Sequence, residues 1–158
     1  YGAGPRQLIV EMTKVQSQIT SGACSIAQAA ATAALNGPQD HIAEFREAFE
    51  RRRNIVVDGI AHVPALTLDP PGGAFYTYIG CANVIGSIAP DGSTIRDDIA
   101  FAQYLLDDGF VAAVPGSAYS LSPFVRLSTA TSDENLSKAM TRIADSTAKL
   151  KLRNSVEL

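Results

Sequence analysis

The chain of 158 residues is 46% hydrophobic and 18% charged, which is enough apolar sequence to bury one core. Its 13 basic residues are scattered among 16 acidic ones, and the net charge is −3. This balance excludes the positive patch that is typical of binding to nucleic acid or an anionic membrane. No apolar run approaches the roughly 20 residues that cross a bilayer. We therefore expect no nucleic-acid partner and no membrane partner.

The two cysteines, Cys24 and Cys81, lie far apart without any partner spacing. They predict neither a disulfide framework nor a zinc site, and a reducing, cytoplasmic location is expected. The N-terminus lacks the charged and apolar regions of a signal peptide and does not start with methionine. We expect an excerpt of a longer protein or a processed product.

The first third of the chain has helical patterns. Residues 7–35 predict two helices, because Leu8, Met12 and Val15 recur at helical spacing and an Ala-rich run follows the break at 20–22. After Pro38 a helix of about six turns is predicted. Its apolar face consists of Ile42, Phe45, Phe49, Val56 and Ile60. Such a length is typical of a connector between domains.

Within this long helix, three arginines at 51–53 follow three glutamates at helical spacing. Charges three and four residues apart on a helix are neighbours. The arginines therefore predict a solvated face with local ion pairs.

Short apolar runs bounded by turn residues begin at Val63 and indicate strands. The four candidates are "ALTLD" (65–69), "AFYTYI" (74–79), "FVAAV" (110–114) and "FVRLS" (124–128). Between the second and third, Thr94 and Asp97 predict a capping box that starts a helix. Its apolar face would consist of Ile95, Ile99, Ala102 and Leu106.

A last helix is predicted near Ser132, with an acidic first turn. Its apolar positions are Leu136, Met140, Ile143 and Leu150. The tail, 153–158, has no periodicity and is expected to fray. The predicted fold class is therefore α/β, with an α+β small domain: helices first, then a small sheet covered by two helices.

Arg126 lies within the apolar strand candidate at 124–128. A charged side chain buried there without a partner costs several kcal/mol or more. The pattern alone favours an internal ion pair with Asp69, Asp107 or Asp133. The alternative is a functional site in which a ligand supplies the negative charge.

Three ordered stretches carry a resemblance: "PPGGAFYTYI", "FAQYLLDDGFVAAVPGSAYS" and "FVRLSTATSDENLSKAMTRI". With "YGAGP" and "VQSQITSGACSIAQAAATAAL" in the first half, the chain resembles the C-terminal portion of the fold-type I pyridoxal-phosphate aminotransferases, specifically class I aspartate aminotransferases. The resemblance implies that residues 1–37 are remnant helices of the large cofactor-binding domain. It implies that residues 38–158 are the connecting helix and the C-terminal small domain.

The resemblance implies an enzyme that transfers an amino group between an amino acid and a 2-oxo acid and that forms a homodimer. Pyridoxal 5'-phosphate would be its cofactor. The family's cofactor-binding lysine belongs to a stretch just before the position of Tyr1, so we expect this chain alone to be inactive and to bind no cofactor. The alternatives are an aminotransferase for aromatic amino acids or alanine, and a non-catalytic α/β interaction module.

For individual residues, the resemblance implies that Arg126 binds the α-carboxylate of the substrate. Tyr119 stands where the family has a phenylalanine at the mouth of the active site. Ser21 matches a residue that approaches the neighbouring subunit's active site. Lys138 lies in "LSKAMTRI", which resembles the lysine motif but follows Arg126 and lacks its aromatic, glycine and tryptophan. We therefore expect no catalytic residue and no metal ligand in this chain.

Overall fold

The computed structural model describes residues 2–152. The expectations on Tyr1 and on the tail at 153–158 lie outside this range. The chain divides into two compact units, with the boundary between Ile42 and Ala43.

The first unit contains α1 (Arg6–Ile19) and α2 (Ser25–Asn36), as predicted. The turn between them includes Ser21 and Gly22, both with positive φ (60° and 141°). No residue of either helix is buried. The apolar periodicity of this segment therefore predicted helices that have no buried face.

The predicted six-turn helix is α3 (Asp40–Ala61, 22 residues). Of its predicted apolar face, only Val56 and Ile60 are buried, both in the C-terminal half. Of the local ion pairs predicted for the arginines, the one of Arg53 is present, with its Nη2 atom 3.6 Å from the Glu50 Oε1 atom. The Nε atoms of Arg51 and Arg52 lie 2.6 and 3.2 Å from the carboxylate of Asp133, which is distant in sequence.

The second unit holds a three-stranded antiparallel sheet in the order β1-β3-β2. The strands are β1 (Tyr76–Gly80), β2 (Val114–Pro115) and β3 (Phe124–Ser128). The strand predicted at 65–69 is only an isolated bridge between Thr67 and Gly80. Two prolines follow at 70–71, and proline has no N–H for a ladder.

The strand predicted at 110–114 is wrong for most of its length. Phe110 adopts the left-handed conformation (φ 52°), and its N–H caps the preceding helix. The N–H of Val111 likewise binds the carbonyl of Leu105. These donors satisfy helix carbonyls and are not available to the sheet.

Helix α4 (Asp98–Gly109) packs against β2 and β3, and helix α5 (Asp133–Ala148) packs against α4. The capping box from Thr94 is wrong, because Thr94 forms a bridge with Ile88 and Asp97 is the cap, accepting a 2.8 Å hydrogen bond from the Ala100 N–H. The buried face of α4 also differs from the predicted one, because Ile99 and Leu106 are 56% and 45% exposed. Its buried residues are Asp98, Phe101, Ala102, Leu105 and Gly109.

Helix α5 begins after Ser132, whose hydroxyl accepts from the Asn135 N–H, and it buries Leu136, Met140 and Ile143 as predicted. The fold-class prediction is confirmed: five helices and a small antiparallel sheet form the part described. Among residues 2–152 no helix is long and apolar enough to cross a membrane. Over the same range no cluster of His, Cys, Asp or Glu could hold a metal ion.

Candidate functional site

Strand β3 separates its side chains between the core and the opposite face of the sheet. Val125 and Leu127 are 0% and 6% exposed in the core. Because successive side chains of a strand point to opposite faces, Arg126 lies on the other face, where it is half-buried. The rigid centre of the sheet thus holds the position of the arginine, which is paired with a strand on each side.

Strand β1 supplies aromatic neighbours on this face. Tyr78 is directly opposite Arg126 in the ladder, and Tyr76 lies two residues away on the same side. The Cζ atom of Arg126 lies over the Tyr76 ring, 4.2 Å from its centroid. A cation over an aromatic face at this distance is attracted by the ring quadrupole.

Tyr119 provides a second ring against the same guanidinium. Its centroid lies 4.4 Å from the Arg126 Cζ, and its ring meets Tyr78 edge to face at 6.4 Å and 87°. Tyr119 ends the short 3-10 turn Gly116–Tyr119 that follows β2, and its side chain is 47% exposed. Tyr119 and Arg126, which the resemblance singled out separately, are therefore in contact.

The internal ion pair predicted from the strand pattern is wrong. Among residues 2–152, the Arg126 guanidinium makes no ion pair and no side-chain hydrogen bond. Asp107 accepts instead from the Gln103 amide, at 2.9 and 3.0 Å. Asp133 receives Arg51 and Arg52, and the hydrogen bond from Arg51 is the main reason why its pKa lies below the usual value.

This arrangement suits recognition of a planar anion. The two tyrosine rings contact the guanidinium of Arg126 through their faces, while its N–H groups have no protein acceptor in the part described. A carboxylate matches such a planar fork with two parallel, charge-assisted hydrogen bonds. The chemistry that this site can perform is binding and orientation of a carboxylate.

Ser21, which the resemblance implies for the site, and Lys138, which it does not, are both exposed. Ser21 is exposed in the turn between α1 and α2, in the first unit. Lys138 is on the exposed side of α5, where its Nζ lies 2.7 Å from the Glu134 carboxylate. A solvated, paired lysine of this kind does not resemble a buried nucleophile.

Sequence reasoning did not single out Tyr76, Tyr78 or Asp98 as residues of this site or of the turn that carries Tyr119. The alternation in "AFYTYI" could have placed Tyr76 on the face of Arg126, had the antiparallel pairing been known. Asp98 is 1% exposed and binds the turn that carries Tyr119. It had no distinguishing signal, since Asp97 and Asp98 are both acidic residues at a helix start.

The fold is that of the corresponding part of an aminotransferase. The family description "Aminotransferase class I and II" matches residues 1–143, and the chain belongs to this family. It is 54% identical over 144 residues to the "Aspartate aminotransferase" of Rhizobium meliloti, and this match covers 91% of this chain and 35% of that relative. It is 49% identical over 143 residues to the "Aspartate/prephenate aminotransferase" of Cereibacter sphaeroides, covering 90% of this chain and 36% of the relative.

The crystal structure of the aspartate aminotransferase from Rhizobium meliloti superposes with a TM-score of 0.86 at 51% identity. The match covers 94% of this chain and 37% of that one. The chain therefore spans little more than a third of the length of the relatives it matches. The prediction that it corresponds to a C-terminal portion of a fold-type I aminotransferase is confirmed.

Proposed function

We propose that this chain is the part of an aspartate aminotransferase that binds the α-carboxylate of the amino-acid substrate through Arg126. The complete enzyme would transfer an amino group between an amino acid and a 2-oxo acid. The observation that supports this role is a guanidinium on a rigid strand, stacked on Tyr76 and Tyr119 and without a carboxylate partner among residues 2–152. A bound substrate would supply the missing charge.

Pyridoxal phosphate, when bound, supplies the electron sink for amino transfer. We infer that the lysine that binds it is not among the residues described here. Three of the four lysines are exposed and pair with a carboxylate: Lys14 with Glu11, Lys138 with Glu134 and Lys149 with Asp108. Lys151 is also exposed. The proposed enzyme would therefore hold its cofactor through residues beyond this chain.

The proposed assembly is a homodimer in the cytoplasm. The two unpaired cysteines fit a reducing compartment. Ser21, exposed in its turn, is the residue that we propose for contact with the neighbouring subunit's active site. An aminotransferase for aromatic amino acids or alanine is the alternative, as is a non-catalytic interaction module.

A chimera tests the proposal. The segment of the Rhizobium meliloti enzyme that matches this chain would be replaced by the corresponding 144 residues of this chain, and aspartate, phenylalanine and alanine would be compared as amino donors. Arg126→Lys keeps the charge and loses the fork, so it should cost about 3 to 5 kcal/mol in kcat/KM for the amino acid. Arg142→Lys, on the exposed face of α5, is the control.

An amine substrate that lacks only the α-carboxylate separates a binding role of Arg126 from a structural role, because this amine has no carboxylate that Arg126 could bind. Its kcat/KM should change much less than that of the amino acid in Arg126→Lys. Equal losses for acid and amine, with a lower melting temperature, would overturn the assignment of Arg126. A chimera without any transaminase activity, although folded, would favour the interaction module.

A further inference from the structure

A buried carboxylate lies at the start of α4, away from any cation in the part described. Asp98 is 1% exposed and forms no ion pair with another residue of the range 2–152. Burying an ionised carboxylate costs several kcal/mol unless hydrogen bonds compensate it. Its position in the first turn of a 12-residue helix offsets part of this cost through the helix dipole.

Both side-chain hydrogen bonds of Asp98 are made to one loop, residues 116–122. Its Oδ2 accepts from the backbone N–H of Ser117 at 2.7 Å, and its Oδ1 accepts from the Ser122 hydroxyl at 3.2 Å. These partners are 19 and 24 residues away in sequence and lie on either side of Tyr119. The carboxylate thus binds both ends of this loop to the start of α4.

The loop itself is tightly built. The Gly116 carbonyl accepts from the N–H of Leu121 at 3.0 Å, and the Ser117 carbonyl accepts from the N–H of Ser120 at 3.1 Å. A Cβ on Gly116 would overlap the carbonyl oxygen of Leu121. Tyr119 stands at the end of this turn, half exposed, with its ring against Arg126.

We propose that Asp98 is the positioning residue of the carboxylate site: it fixes the loop 116–122 so that Tyr119 holds the Arg126 guanidinium in place. This inference rests on the proposed function of Arg126 and assigns a residue that does not itself touch the substrate. Because the guanidinium of Arg126 is then already oriented before binding, less conformational entropy is lost when a carboxylate binds. Without Asp98 the competent arrangement is populated for only part of the time, and apparent affinity falls in proportion.

The competing explanation is that Asp98 only stabilises α4. Asp97, its neighbour, is a matched control for that possibility. Its side chain caps the same helix by accepting from Ala100 and makes no hydrogen bond to the loop. A variant Asp97→Ala should weaken the helix start while leaving Tyr119 where it is.

The experiment uses this chain and two readouts. The first is the arginine Nε–H NMR spectrum, in which the rings of Tyr76 and Tyr119 should displace the Arg126 signal upfield; Arg126→Lys assigns it. The second is the Kd for succinate, a dicarboxylate without an amino group, measured on the same signals. Variants Asp98→Ala, Asp98→Asn, Ser122→Ala and Asp97→Ala would be compared.

We expect Asp98→Ala to remove much of the upfield displacement and to weaken succinate binding about ten-fold, as for a competent state populated about one tenth of the time. Asp98→Asn keeps an acceptor for the Ser117 N–H and should recover most of both. Ser122→Ala, which loses only the longer bond, should give a smaller change of the same sign. If Asp98→Ala does not fold, the Asn and Ser122 variants decide the matter.

The two proposals fail differently. In one outcome, the Arg126 signal is displaced upfield in the parent chain and loses this displacement in Asp98→Ala, but the parent chain does not bind succinate. This result would reject the carboxylate site and support the contact between Asp98 and the loop. Succinate binding through Arg126 that is the same in Asp98→Ala and Ser122→Ala would reject the positioning role alone. Equal losses in Asp97→Ala and Asp98→Ala would show that Asp98 acts only on helix stability.

Discussion

Helices α2 and α4 are both 12 residues long, yet they differ in what covers them. Helix α2 has no buried residue, although six of its residues are alanine. Helix α4 buries five, with Phe101 and Leu105 at 0% and 1% exposure. Helical propensity and apolar content are thus enough to make both helices, but only packing gives α4 a share in a core.

The largest difference that we expect between the two units is in cysteine reactivity. Cys24 is exposed in the first unit, and Cys81 is 0% exposed in the second. Burial, and secondly the negative charge of Asp98, raise the pKa of the Cys81 thiol to about 12. Because the thiolate is the nucleophile, iodoacetamide at pH 8 should alkylate Cys24 about a thousand-fold faster.

Mass spectrometry with peptide mapping measures both rates, and Cys24→Ser isolates Cys81. Urea should accelerate the reaction of Cys81 through unfolding. The pKa shift also gives the second unit a stability contribution that is complete below the ordinary thiol pKa. It is lost as the pH rises through the raised value. Similar rates for the two thiols in buffer would contradict the core described here.

The same substitution in the two helices should have very different effects on stability. Leu105→Ala removes a fully buried side chain and should lower the free energy of unfolding by about 2 to 5 kcal/mol. Leu35→Ala removes a side chain that is 74% exposed, and should cost less than about 0.5 kcal/mol. Urea titrations followed by circular dichroism give both values, and comparable losses would show that α2 shares a core with its surroundings.

Substitution of glycines compares how closely the backbone is packed in the two units. Gly116→Ala places a Cβ against the carbonyl oxygens of Leu121 and Phe124, which cannot move without opening the Tyr119 turn. We expect a loss of about 1 to 3 kcal/mol, as for other overpacked sites. Gly4→Ala in the first unit meets only the end of the Ile9 side chain at 3.9 Å. A melting temperature that is unchanged in both variants would contradict the tight turn.

The smallest effect concerns ion pairs. The hydrogen bond from Arg51 is the largest cause of the lowered pKa of Asp133, so this carboxylate stabilises the fold above the ordinary aspartate pKa. That contribution is lost as the pH falls through the lowered value. Asp133→Asn should reduce the loss of melting temperature on acidification, and salt should diminish the difference. Glu11→Gln, in the local pair with Lys14, should leave the acid profile unchanged.

Local signals predicted the elements whose ends are set by nearby residues. Ser132 caps α5, and the break at 20–22 separates α1 from α2, both as expected. The strand at 110–114 and the cap at Thr94 were wrong because other backbone hydrogen bonds, made to residues only six positions away, took their place: the Val111 N–H closes the end of α4, and Thr94 pairs with Ile88. Apolar periodicity and capping residues do not show which of these competing local hydrogen bonds forms.

The sequence likewise predicted only part of the candidate site. A resemblance indicated Arg126 and Tyr119, but the choice of an ion-pair partner for Arg126 depended on which carboxylates the fold brings near it. Asp133 is taken by arginines of α3, and Asp107 by a glutamine of its own helix. Tyr76 and Asp98 became visible only through register and burial.

Titration of the arginine Nε–H signals with succinate shows whether the N–H groups of Arg126 bind a carboxylate. We predict a saturable shift of the Arg126 signal, with little change at Arg142 on the exposed face of α5. Arg126→Lys should abolish the response. An Arg126 signal that is insensitive to succinate but follows the protonation of an aspartate of this chain would show that Arg126 is held by an internal ion pair.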